Sequence, residues 1–105
     1  PMKTLVLYSI AAIMYVTGGA LMKYSQGLTQ ALPTLGLTAL FSTGALIQAR
    51  AMRYEQLGSS YILVLGLEVL LAIILGTLLF GEQLSGRAAA GITLVVIGIV
   101  LLRFA

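Results

Sequence analysis

The chain contains no cysteine and no histidine. The first absence rules out a disulfide framework, a thiolate metal site and thiol redox chemistry. The second removes the commonest metal ligand, the usual proton shuttle near neutral pH and any Ser-His-Asp arrangement. Tryptophan is also absent, so tyrosine and phenylalanine must supply any aromatic anchors at a membrane surface. Charge is scarce: charged residues make up 9% of the 105, whereas 60% are hydrophobic and the mean hydropathy is +1.09. A soluble domain of this size needs far more charge to cover its surface. The chain therefore reads as an all-α integral membrane protein with no room for a separate soluble domain. Its glycines sit in no strand-to-helix turn, which leaves no phosphate-binding loop. The net charge of +3 forms no basic run or face, which argues against nucleic-acid binding. No metal site, no cofactor and no enzymatic activity are expected.

What the chain does have is long apolar runs. Four spans are expected, roughly Thr4–Met22, Pro33–Ala49, Ser59–Phe80 and Arg87–Leu102, forming a single four-span transmembrane domain across residues 1–105. Lys3 before an apolar run fits a signal peptide, but the run reaches Met22 without a cleavage signature, which favours a retained helix. Pro1, ahead of Met2, is set aside as foreign to a natural start. The first span carries Tyr8 and Tyr15 near one helical face, and small residues Ala11, Ala12, Gly18 and Gly19 that permit close helix approach. Tyr15 lies well inside the membrane, so its hydroxyl is expected to find a partner on another helix or in a wet cavity. The link after it has a break at Gly27 and a proline, Pro33, suited to the first turn of a helix. The second span, rich in Gly36, Thr38, Ser42, Thr43 and Gly44, is expected to be buried among helices. Gly66 and Gly76 mark points where the third may bend. Gly91 and Gly98 form a packing stripe on the fourth. Lys3, Arg50, Arg53 and Arg103 fall at one membrane face, with Lys23 and Arg87 at the other. That is a weak bias toward cytoplasmic termini, with Tyr24, Tyr54 and Phe104 as interface anchors.

The third span is the one with chemistry in it. Tyr61 to Phe80 is long enough, at about 1.5 Å per residue, to cross about 30 Å of hydrocarbon, and Glu68 stands near its middle. A carboxyl there is costly unless it faces protein or water, and so marks a functional site by default. Tyr61, Val64, Leu65 and Glu68 share one face. Desolvation disfavours the charged form of a carboxyl, so Glu68 is suited to bind either a proton or a cation but not both, which is the physical core of an exchanger. Tyr15 and Tyr61 are candidates to hydrogen-bond Glu68 or to offer a ring to a cation, with Ser42 beside them. The structural alternative is a protonated Glu68 hydrogen-bonded across helices to Tyr15, Thr43 or Ser42. Glu55 and Glu82 are expected to be solvated loop residues.

Several motifs are similar to those of a known family. Lys23-Tyr24-Ser25-Gln26-Gly27-Leu28-Thr29 followed by Pro33 resembles the first loop of the small multidrug resistance transporters. Phe80-Gly81-Glu82 followed by Leu84 resembles their third loop, and Gly58 followed by Tyr61 resembles the entry to their third helix. Gly91 and Gly98 fall where their fourth helix carries dimer-forming glycines. The resemblance implies a four-helix bundle working as a homodimer, often antiparallel. It also implies proton-coupled exchange of small organic cations through a cavity lined by helices one to three, in a bacterial inner membrane. The departures are specific. The family's membrane-embedded glutamate lies eight residues before the first-loop lysine, and that position is Tyr15 here. Val64 stands in place of the tryptophan three residues after the helix-three tyrosine, and Gln56 in place of a proline. Either the carboxyl has moved from helix one to Glu68, or proton coupling has been lost. A lipid-linked sugar carrier or flippase subunit, with Arg50 or Arg53 meeting a phosphate head group, remains open. So do a non-transporting partner protein and a heterodimer with a paralogue.

Overall fold

The computed structural model describes residues 2–103, so Pro1 and the anchor Phe104 lie outside the described residues. Four helices follow one another: α1 (Met2–Tyr24), α2 (Ala31–Ala51), α3 (Leu57–Phe80) and α4 (Gly86–Arg103). Among the described residues there is no strand. Pro33 sits in the first turn of α2, where its missing N–H leaves no bond unmade. Gly81 ends α3 in the left-handed conformation, φ 63°, and its N–H bonds the Gly76 carbonyl. Ser85 opens α4 by accepting the Ala88 N–H on its hydroxyl at 3.1 Å. α1, α2 and α3 are each long and apolar enough to cross a membrane. The apolar part of α4, Gly86–Leu102, is shorter, spanning about 25 Å at the ordinary helical rise.

The link between α1 and α2 is tightly wound. Gln26, Gly27 and Leu28 all have positive φ, at 48°, 72° and 70°. Gly27 takes that conformation freely, whereas the other two must be held in it. Ser25 holds them. It is buried, its hydroxyl donates to the Met22 carbonyl at 2.7 Å and accepts the Leu28 N–H at 3.2 Å.

The helices make a slab with extents of 43 × 36 × 18 Å. The short dimension is less than two helix diameters of about 10–12 Å each. α1 is the spine: it packs against α2 on one side and α3 on the other, while α4 rests on α3 alone. Small residues set these contacts. A side chain at Gly18 would meet the Phe41 ring at 2.9 Å, one at Gly36 would meet Leu21 at 2.8 Å, and one at Gly44 would meet Tyr15 at 2.8 Å. Ala11 and Ala12 are fully buried. Between α1 and α3, Tyr8, Ala12 and Val64 form the core, and the Tyr8 hydroxyl is hydrogen-bonded to the Ser60 hydroxyl.

α3 runs as one helix through Gly66 and Gly76. These two glycines admit the Ile99 side chain of α4 and the Glu82 carboxylate. The expectation that the hydroxyl-rich α2 is buried among helices is corrected by the structure. Among its residues only Gly44 and Gln48 are buried, while Thr38, Ser42 and Thr43 are exposed on the subunit. The physical reason is local: Thr34, Thr38 and Thr43 each donate to the carbonyl four residues back, at 2.6, 2.8 and 2.8 Å, and need no second helix. The rest of the outer surface is apolar, with Leu46 and Leu78 about three-quarters exposed (73% and 74%). In water such a surface aggregates; in lipid it is the solvated surface. On α4, side chains built at Gly91 and Gly98 meet nothing within 4 Å, so this small-residue stripe is uncovered in the subunit.

If Gly66 seats Ile99, replacing it by valine overpacks the α3–α4 contact. A loss of about 1–3 kcal/mol is expected, read from denaturant-induced unfolding in mixed micelles. Gly58→Val, where nothing lies within 4 Å, is the matched control.

Candidate functional site

α2 and α3 both lean on α1 without packing on each other, and a cleft of about 470 Å³ opens along the spine. Its floor is α1, from Tyr15 and Val16 through Gly19 and Ala20 to Lys23. Gly19 has nothing within 4 Å of a built side chain, which leaves the floor low. One wall is α3, with Leu65, Glu68, Ala72 and Gly76, and Phe41 of α2 faces it. The lining is mostly hydrocarbon.

Glu68 and Tyr15 both line this cleft, and they lie on different helices. Glu68 is half-buried, and among the described residues it makes no hydrogen bond and no ion pair. The candidate partners named from sequence are engaged elsewhere. Thr43 bonds its own helix and Tyr15 donates to the Gln48 side-chain oxygen at 2.7 Å. Ser42 is exposed on α2 and Tyr61 is half exposed on α3, and neither lines the cleft. Of the four candidates, the structure brings together Glu68 and Tyr15 and leaves Ser42 and Tyr61 outside that group. Val64, expected on the Glu68 face, turns instead into the Tyr8–Ala12 core.

Tyr15 is seated by three residues of α2, spaced three and four apart. Gly44 gives its ring room, Phe41 stacks on it at 5.6 Å between centroids, and Gln48, buried, takes its hydroxyl proton. Because that hydroxyl donates to Gln48, its oxygen lone pairs remain free to accept. The Gln48 side-chain nitrogen is the one buried polar side-chain atom without a partner among the described residues. The sequence signal for Gln48 was a lone amide in an apolar span, four residues after a glycine and so on one face with it.

The mouth of the cleft, at the end formed by the first and third links, is crossed by an ion pair. The Lys23 ammonium donates to the Glu82 carboxylate at 2.9 Å, with both side chains more than half exposed. Lys23 also lies 4.8 Å from the Phe80 ring centroid, and Tyr24 packs on the same ring. Glu82 is an exposed residue of the third link, as expected, and it carries this ion pair as well. A pair this exposed contributes about 0–1 kcal/mol, so its role is to place charge at the mouth rather than to hold the fold.

A family model described as Small Multidrug Resistance protein matches residues 3–95. The chain belongs to the small multidrug resistance family. It is 36% identical over 102 residues to the multidrug resistance protein EbrB of Bacillus atrophaeus, a match covering 97% of this chain and 87% of EbrB. It is 30% identical over 99 residues to NepA of Paenarthrobacter nicotinovorans, a subunit of an export pump for nicotine metabolites, covering 94% of this chain and 84% of NepA. The multidrug transporter EmrE of Escherichia coli is 27% identical over 93 residues, covering 89% of this chain and 84% of EmrE. The chain is therefore a multi-pass membrane transporter built as a four-helix bundle of this family.

The seating of Tyr15 is testable. Gly44→Val drives a side chain into its ring and is expected to cost about 1–3 kcal/mol of stability. Gln48→Leu removes one interhelical hydrogen bond and is expected to cost about 0.6–1.7 kcal/mol. Denaturation of the purified variants checks both; a Gly44→Val protein as stable as wild type contradicts the packing described.

Proposed function

We propose that this chain exports small organic cations in exchange for protons, as a dimer in a bacterial inner membrane, with Glu68 as the site that both ligands share. It is a transporter and not an enzyme on this reading. The observation that carries it is the position of Glu68: an otherwise unpaired carboxylate in an apolar cleft that Tyr15 also lines. Tyr15 stands at the position where the family resemblance expects the helix-one glutamate. The carboxylate has changed helix, yet it still opens into the same cleft.

The chemistry follows from that placement. Little in the cleft competes with a cation for the carboxylate, and the low-dielectric lining strengthens whichever partner binds. A proton and an organic cation each neutralise Glu68, so occupancy by one expels the other. The Tyr15 oxygen accepts a hydrogen bond from a guanidinium or ammonium N–H, and its ring offers a face to the charge. The slab is too thin to enclose a substrate, so a second subunit closes the cleft. The uncovered Gly91 and Gly98 stripe of α4 is the surface that joins the two. Alternating access is then a rocking of one subunit against the other about the midplane site. The partner is a second copy, in parallel or antiparallel orientation. A related chain is the alternative that NepA, as a pump subunit, brings into play.

Transient currents from proteoliposomes on a solid-supported membrane test this reading, with guanidinium, quaternary ammonium and polyamine cations as probes. Wild-type protein is expected to give cation-driven currents and Glu68→Gln none. Adding Tyr15→Glu to Glu68→Gln is expected to restore proton-coupled current, because the carboxylate returns to the same cleft. Undiminished coupling in Glu68→Gln sinks the assignment.

A further inference from the structure

At the membrane face opposite the Lys23–Glu82 pair, a second pocket of about 620 Å³ collects charge from three separate parts of the chain. Lys3 comes from the first turn of α1, Arg50 from the last turn of α2, and Arg53 from the link that follows. Glu55 is the one carboxylate in the lining, and the cations outnumber it by two. None of the four is ion-paired: among the described residues the one ion pair within 4.0 Å is Lys23–Glu82. Arg53 lies 5.2 Å from the Tyr54 ring centroid, which supports its guanidinium beside the pocket.

We propose that this pocket binds the phosphodiester head group of an anionic phospholipid. Topology alone asks only that positive charge lie on one side of the membrane. It does not ask that three cations from two helices and a link converge on one concavity. Glu55 offsets only one of the three cations, and Lys3 sits at a helix N-terminus, whose dipole favours an anion, so the concavity keeps unmatched positive charge. A phosphate supplies the match. Arginine supplies the planar, multi-donor geometry that phosphate accepts. The volume is roughly twenty times the share of one liquid water, about 30 Å³, and so has room for a phosphate with its glycerol. The pocket lies where α1 begins and α2 ends, at the ends of two membrane-crossing helices. That is the depth at which lipid head groups lie, and basic pockets between spans at that depth bind them.

Native mass spectrometry of the full chain in a non-ionic detergent tests this, with phosphatidylglycerol and phosphatidylcholine offered in equal amounts. Wild type is expected to retain phosphatidylglycerol preferentially. At roughly 5-fold per cation near the surface, Arg50→Gln with Arg53→Gln is expected to weaken that preference by about 25-fold. Arg50→Lys with Arg53→Lys, which keeps the charge, is expected to retain more of it. Lys23→Gln with Arg87→Gln, at the opposite face, is expected to change nothing. Equal retention of the two lipids by wild type, or a preference that survives the double glutamine variant, overturns the proposal. Inorganic phosphate and glycerol 3-phosphate are added in a further arm. Displacement of phosphatidylglycerol by either overturns the lipid assignment in favour of a soluble phosphate, and persistence supports it. Because the wild-type arms need no variant, the test stands even if a substitution misfolds.

Discussion

A bilayer offers no hydrogen bonds, and the arrangement of this chain follows from that constraint. Each polar side chain in a span must find a partner within its own helix, on a neighbouring helix or at the surface. The hydroxyls of Ser9, Thr17, Thr38, Thr43, Thr77 and Thr93 take the first course, each bonding a carbonyl four residues back. Tyr8 and Tyr15 are too long for that, and they cross to Ser60 on α3 and Gln48 on α2. Those two bonds tie α1 to both of its neighbours. Glu68 takes neither course: among the described residues it bonds neither its own helix nor a neighbour.

α1 occupies the centre for a steric reason. It presents small residues to both sides, Ala11, Ala12 and Gly18, and large ones, Leu21 and Tyr15, into glycine gaps on α2. Two helices that both approach one spine closely at separate faces are held apart from each other, and the gap between them is the cleft. Space for a substrate is thus a consequence of how α1 packs. The same geometry leaves the slab less than two helices thick and α4 attached on one side only.

The helical spans and their apolar character were legible because lipid demands continuous hydrocarbon, and a continuous run is visible in a sequence. The break at Gly27 was legible too, as glycine is the residue that takes a positive φ without strain. Glu68 stood out because a carboxyl is conspicuous in such a run. The pairings were not legible. Nothing local in Tyr8 points to Ser60, fifty-two residues away. The hydroxyl-rich look of α2 suggested burial, and back-bonding to its own carbonyls removed the need for it. Gly66 and Gly76 suggested bends because a missing side chain reads the same whether the helix kinks or a neighbour moves in.

The departure from the family pattern at position 15 bears on how such a site is built. A helix-one glutamate and a helix-three glutamate are far apart in sequence, but α1 forms the floor and α3 the wall of one cleft. A carboxylate on either lines the same apolar space, and on the proposed reading is open to the same competition between proton and cation. What exchange requires physically is one ionisable group in one shared, water-limited volume, and the helix that carries it is secondary. With Glu68 on the wall, position 15 is free to hold a tyrosine. The Tyr15 hydroxyl donates to Gln48, which leaves its oxygen lone pairs as a neutral acceptor in the cleft that Glu68 also lines. A carboxylate at both positions would put two like charges into one low-dielectric volume, where only one can ionise readily.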